Sequence, residues 1–201
     1  MNKMAFPDAW EEQYFISVTK ASGSEIQFGP IVDPTTLDFG IPEYPGEGLP
    51  NAAGGRIWKQ SPQGDIEVTF DIYGIELDAT TGVGLFQQFD GGTVVSSDPL
   101  ASDNAWLASV DKTRDRFRVA VLFTNDPAAA TAGGATAAST DSFRVFANNL
   151  RITSLKPTFS DGVWKQTVTF KGPVMTKAGT TRNYQFQSGD QTALAALASF
   201  T

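Results

Sequence analysis

The chain of 201 residues contains no cysteine and no histidine. Without cysteine there are no disulfides and no thiolate metal sites. Without histidine the commonest acid–base group at neutral pH and the commonest metal ligand are missing. Serine–histidine and cysteine–histidine catalysis are therefore excluded, leaving an enzyme only carboxylate pairs, lysine, tyrosine or an oxygen-only metal site. Basic runs are also missing: the net charge is −7 and the pI about 4.5, which argues against sequence-reading nucleic-acid binding but not against letting DNA pass. No stretch approaches the roughly 20 apolar residues that span a bilayer. The opening "MNKMAFPDAWEEQYF" is broken by Pro7, Asp8, Glu11 and Glu12 and lacks the apolar run of a signal peptide, so the expectation is a soluble chain without an export signal.

Apolar residues at 41% and charged residues at 18%, with 19 Gly and 11 Pro, fit a loop-rich globular protein. A chain of this length buries roughly 70% of its unfolded surface, enough for a real core. It reads as a single domain over residues 1–201.

The pattern is mostly that of strands. "QYFISVTK" (13–20) and "SEIQFGP" (24–30) flank an "ASG" turn and predict a first hairpin. Residues 29–55, with five prolines and six glycines, predict a long extended loop or arm. "DIEVTFDIYGIEL" (65–77) alternates cleanly, putting Ile66, Val68, Phe70 and Ile72 on one face and Asp65, Glu67, Thr69 and Asp71 on the other. At about 3.3 Å per residue such a strand runs to about 40 Å.

Further along, 84–92 predicts a helical turn or short helix, and 102–112 is ambiguous between helix and loop. "RDRFRVAVLFTND" (114–126) returns to strand. The small-residue stretch 126–141 predicts an exposed flexible loop. "FANNLRITSLKPTFSDGVWKQTVTFKG" (146–172) predicts a hairpin and "NYQFQSG" (183–189) a last strand, after which Asp190 caps a terminal helix over 191–200. Six or more strands with one or two flanking helices predict a mainly β fold, a β-sandwich or split barrel.

Candidate chemistry is sparse. Asp65, Glu67 and Asp71 share a strand face, but a glycosidase sets its two acids across a sugar cleft. The alternatives are a solvated sheet face or a channel lining. Asp98 and Asp103 lack the spacing of a calcium loop. Trp58, Trp106 and Trp164, with Tyr44, Tyr73 and Tyr184, offer flat faces that sugars stack on, or ordinary core and interface rings. The Gly-rich stretches match no phosphate loop. No catalytic residue, cofactor or metal site is expected.

The stretch "SFRVFANNLRITSLKPTFSDGVWKQTVTFKGPVMTKAG" (142–179) resembles the C-terminal half of the tail tube, or major tail, proteins of long-tailed bacteriophages and related viruses. "DIEVTFDIYG" before "LFQQFDGG", and "RVAVLFTND" before an Ala/Gly-rich loop, extend the resemblance across about 56–190. It implies a structural virion protein rather than an enzyme. Six copies form a ring, long strands join into a shared inner barrel, and rings stack into the tail tube through which viral DNA passes without sequence-specific contact. It further implies tape-measure and tail-terminator or tail-tip proteins as partners, no membrane, and a place in the virion tail after assembly in the host cytoplasm. On that reading Asp65, Glu67, Thr69 and Asp71 are candidates to face the lumen, with Lys165 and Lys171 partly offsetting them. The rivals are a carbohydrate-binding or adhesion β-sandwich and a carboxylate hydrolase.

Overall fold

The computed structural model describes residues 13–27, 32–43, 45–73, 93–94, 106–107, 115–160 and 162–201. Twelve strands follow in order: β1 Gln13–Lys20, β2 Glu25–Gln27, β3 Val32–Gly40, β4 Gly46–Pro50, β5 Arg56–Gln60, β6 Asp65–Tyr73, β7 Thr93–Val94, β8 Trp106–Leu107, β9 Phe117–Thr124, β10 Ser142–Ser160, β11 Val163–Pro173 and β12 Tyr184–Gly189. The main sheet runs β2-β1-β9-β10-β11-β6-β3, with β12 also on β10; β4-β5 and β7-β8 are separate pairs. The expected β-sandwich is what the chain forms.

One long strand makes this possible. The 19 residues of β10 serve two sheets in succession: Ser142–Ala147 lie between β9 and β12, whereas Arg151–Ser160 pair with β11 alone. Between the halves the register with β9 shifts after Ala147 and Asn149 takes φ 58°, a left-handed conformation that asparagine tolerates better than most residues. Its amide is fixed from both sides, donating to Asn183 Oδ1 at 2.8 Å and accepting from Arg116 at 3.1 Å. A Cβ on Gly172 would come within 2.8 Å of the Asn149 carbonyl oxygen, so the chain passes closely there.

The two sheets then fold face to face. Ile16, Val18, Phe117, Val119 and Val121 from one meet Ile66, Val68, Phe70, Ile72, Val168 and Phe170 from the other, all buried. Phe117 contacts Phe170 edge-on across the layers at 5.7 Å between ring centroids, and Phe170 stacks on Phe70 at 6.0 Å.

A second, smaller core lies on the outer side of β9, where Ala120, Leu122 and Phe146 are covered by Ala132 and Leu194. This corrects two expectations. Residues 191–200 form no helix; they lie over the sheet without regular secondary structure, because Leu194 and Leu197 gain more by packing on β9 than "TALAALAS" gains from local helix propensity. Nor is the 126–141 loop exposed throughout: Pro127, Ala128 and residues 137–139 are exposed, but Asp126, Ala132, Thr136 and Asp141 are buried, and Asp126 accepts from the Ala128 and Ala137 amides. Small side chains let this backbone lie flat against its neighbours.

The 29–55 segment is corrected too. It contains β3, which pairs with β6 as an edge strand, and most of a hairpin, β4–β5. Pro34 is tolerated in β3 because it falls in the irregular stretch between Asp33 and Asp38, where the register shifts. The first hairpin, β6, β9 and the β10–β11 hairpin stand where the pattern predicts them. The possible helix at 84–92, residues 74–77 and the Asp98 and Asp103 sites lie outside the described residues. Within 102–112, Trp106–Leu107 is a short strand paired with Thr93–Val94. Among the described residues there is no helix.

Candidate functional site

Beyond the bulge, the second half of β10 joins β11, β6 and β3 into a four-stranded sheet with one buried and one polar face. The alternation of β6 makes this so: Ile66, Val68, Phe70 and Ile72 are fully buried, while Asp65, Glu67, Thr69 and Asp71 stand on the opposite side. β11 matches it in register, Lys171 opposite Glu67, Thr169 opposite Thr69, Thr167 opposite Asp71 and Lys165 opposite Tyr73.

The polar face is a ladder of cross-strand pairs. Lys171 Nζ lies 2.8 Å from Glu67 Oε2. Thr69 Oγ1 donates to Thr169 Oγ1 at 3.2 Å, Thr167 Oγ1 donates to Asp71 Oδ1 at 2.6 Å, and the Lys165 ammonium sits 4.8 Å above the Tyr73 ring. The structure thus brings Asp65, Glu67, Thr69 and Asp71 onto one surface and gives Glu67, Thr69 and Asp71 partners on β11. Those partners are hydroxyls and an ammonium. On the other flank of β6 the register sets Asp33 of β3 opposite Asp71, so two acids do face each other there, but among the described residues no cluster could hold a metal ion. The acids of this surface repel phosphate; of its cations, Lys171 is engaged by Glu67 and Lys165 by the Tyr73 ring, whereas Lys156, opposite Thr167 on the same face, is exposed.

Among the described residues, both margins of this sheet are open. Arg151–Ser160 of β10 have β11 on one side and no described strand on the other, and β3 is the last strand of the order. Gly162, at φ 77°, lies in the turn from β10 into β11.

The hairpin β4–β5 is the other exposed feature. All of β5 is exposed: Ile57 at 60% and Trp58 at 68%, with Leu49 on β4 at 40%. The Trp58 ring lies across Gly46, so a Cβ at that position would displace the ring. Of the other aromatics weighed as a sugar platform, Tyr73 is covered by Lys165, and Tyr184 packs edge-on against Phe186 beside Arg182. Tyr44 and the side chains of Trp106 and Trp164 lie outside the described ones. Among the described rings, Trp58, Tyr73 and Tyr184 do not form a single stacking surface.

Two residues with structural weight escape the sequence pattern. Arg144 and Arg118 are buried beneath the C-terminal segment and grip main-chain oxygens. Arg144 donates to Gly134 at 2.6 Å and Ala195 at 3.0 Å, and Arg118 to Ala198 at 2.6 Å. Burial lowers the pKa of both guanidinium groups, and the nearby Glu25 acts in the opposite direction. Glu25 also accepts from the Gly133 amide at 2.7 Å. The cavity of about 340 Å³ beside Arg118, lined also by Thr19, Ser22 and Phe200, therefore has its cation already committed.

No family model matches the sequence, and no curated protein does. Solved structures do. The tube-terminating cap of the anti-feeding prophage is similar at 9% identity over 94% of this chain and 95% of that one, with a TM-score of 0.50. The sheath/tube terminator of an extracellular contractile injection system is similar at 13% identity over 86% and 92%, TM-score 0.47. An Hcp protein is similar at 10% identity over 88% and 98%, TM-score 0.33. At such identities the likeness is one of fold, and the comparison with the cap carries it.

Proposed function

We propose that this chain is a structural subunit of a tail tube: copies close into hexameric rings, the rings stack, and viral DNA passes through the bore. The observation that carries this reading is the four-stranded sheet with a polar outer face and two open margins. Joining margins around a ring removes exposed edges that would otherwise invite aggregation. Six such sheets make a barrel of about 24 strands; at ~4.8 Å spacing its backbone diameter is roughly 37 Å untilted and nearer 48 Å at a tilt of about 40°. With side chains lining it, that bore is wider than duplex DNA. Asp65, Glu67, Thr69 and Asp71 would face the lumen, with Lys165 and Lys171 beside them, giving a wall of paired charge.

Stacking then falls to the β4–β5 hairpin. Leu49, Ile57 and Trp58 are an apolar tip on an arm whose strands pair with each other and with no other described strand, and burying a tryptophan at a ring-to-ring contact is the typical use of such a residue. The tube would end on a tape-measure protein and a terminator or tip protein, in the virion tail, after assembly in the host cytoplasm. The subunit itself performs no catalysis.

A second reading is favoured by the likeness to a tube-terminating cap over nearly the whole chain: a ring that ends a tube instead of extending it. Negative-stain microscopy of the concentrated protein separates the readings. Hollow tubes support the tube subunit and isolated rings support the cap; a strictly monomeric protein at high concentration refutes both and reopens the adhesion-module reading.

A further inference from the structure

The charges of the open sheet are sorted by strand. Every charged residue of β3 and β6 is an acid: Asp33, Asp38, Asp65, Glu67 and Asp71. Every charged residue of β11 and of the part of β10 beside it is a cation: Arg151, Lys156, Lys165 and Lys171. Because the order is β10-β11-β6-β3, the two inner strands set their charges against each other, as Lys171 and Glu67 do at 2.8 Å. The outer strands leave one margin basic and the other acidic, with Lys156 and Asp38 both exposed.

We propose that the β10 margin of one copy seats against the β3 margin of the next, and that this sorted charge selects which margins meet. The partner is a second copy of this chain, and the inference rests on the ring reading above. Three pairings of margins are conceivable. Two β3 margins would bring Asp38 towards its own copy, and two β10 margins would bring Lys156 towards its own; both are twofold contacts that stop at a dimer. The mixed pairing alone sets acid against base, and it is the head-to-tail contact from which a ring closes.

Backbone hydrogen bonding alone would not discriminate so well. Pro34 in β3 and Pro157 in β10 offer no amide hydrogen, and β3 is further interrupted between Asp33 and Asp38. These irregularities keep a lone subunit from pairing indiscriminately, so side-chain charge has to provide the selection.

The test compares the unmodified chain with Asp38→Lys, Lys156→Asp and the double exchange, using sedimentation velocity and negative stain over a concentration series. Each single change should raise the concentration needed for rings about tenfold, as expected when an exposed pair becomes a like-charge contact. The double exchange should restore it. Ring formation by the unmodified chain should weaken between about 0.05 and about 0.5 M NaCl. Thermal melts of the dilute variants should match the parent, since both positions are exposed. If the unmodified chain forms rings but the single variants do so equally well, or the double exchange fails to restore them, the margin pairing is wrong and the ring reading stands. If the unmodified chain forms no ring at any salt concentration, the ring reading fails and the pairing with it.

Discussion

Two neighbouring residues of β6 give the sharpest test of how this chain builds its open sheet. Val68 is fully buried and opposite Phe170, whereas Glu67 is half-exposed and paired with Lys171. Val68→Asp removes about 1.5–3 kcal/mol of apolar burial. It also places a carboxyl where no partner waits, and holding that group protonated at pH 7 costs about 4 kcal/mol. Together these reach about 6 kcal/mol, comparable with the 5–15 kcal/mol that stabilises an ordinary domain. Glu67→Gln loses one exposed ion pair, about 1 kcal/mol at most, or a fall in Tm of no more than about 4 °C.

The pH dependence distinguishes a buried carboxyl from simple loss of shape. Burial raises the folded-state pKa of the introduced group above its unfolded value. The deficit of Val68→Asp relative to the parent should therefore be smallest below the ordinary aspartate range, and should grow as pH rises towards neutrality. Circular-dichroism melts of parent and both variants at about pH 4 and about pH 7 measure it. Equal losses for the two variants, or a Val68→Asp protein as stable as the parent at pH 7, would refute the assignment of faces.

Other substitutions probe other parts of the fold. Gly172→Ala should destabilise by about 1–3 kcal/mol in denaturant melts, because its Cβ meets the Asn149 carbonyl and Leu150. Deleting 128–136 should lower Tm markedly, since it strips the cover from Leu122 and Phe146 and leaves Arg144 without the Gly134 oxygen; an unchanged melt would mean the loop is dispensable. Trp58→Ala should leave the melting of the dilute subunit within about 0.5 kcal/mol of the parent, and on the tube reading should give rings that fail to stack in negative stain.

Strand alternation made β6 and the β10–β11 hairpin legible, and with them the polar ladder. An i, i+2 pattern with one face buried admits a single orientation, so the outward set of Asp65, Glu67, Thr69 and Asp71 follows from the residues themselves, whereas the register with β11, which a two-residue slip would change without moving any side chain to the other face, does not. The arm at 29–55 was half legible. Its prolines and glycines mark interruptions, but an edge strand can absorb interruptions that a central strand cannot, and Pro34 sits where β3 needs no ladder bond.

The covering layer was not legible from its own residues, because "AAATAGGATAAS" and "TALAALAS" carry little side-chain information. They pack through backbone, and the groups that hold them are arginines far away in sequence. The trace of that layer lies in β9. Val119 and Val121 face one way and Ala120 and Leu122 the other, all four buried, and a strand apolar on both faces must be covered on both. Arg118 and Arg144, facing that second side among small apolar neighbours, then need acceptors that only main chain can bring. A doubly apolar strand flanked by arginines thus calls for a polar backbone cover, and this chain meets that demand with its two plainest segments. No other described strand lies on the charged margins of the other sheet, and it is there that the proposed ring seats a second copy.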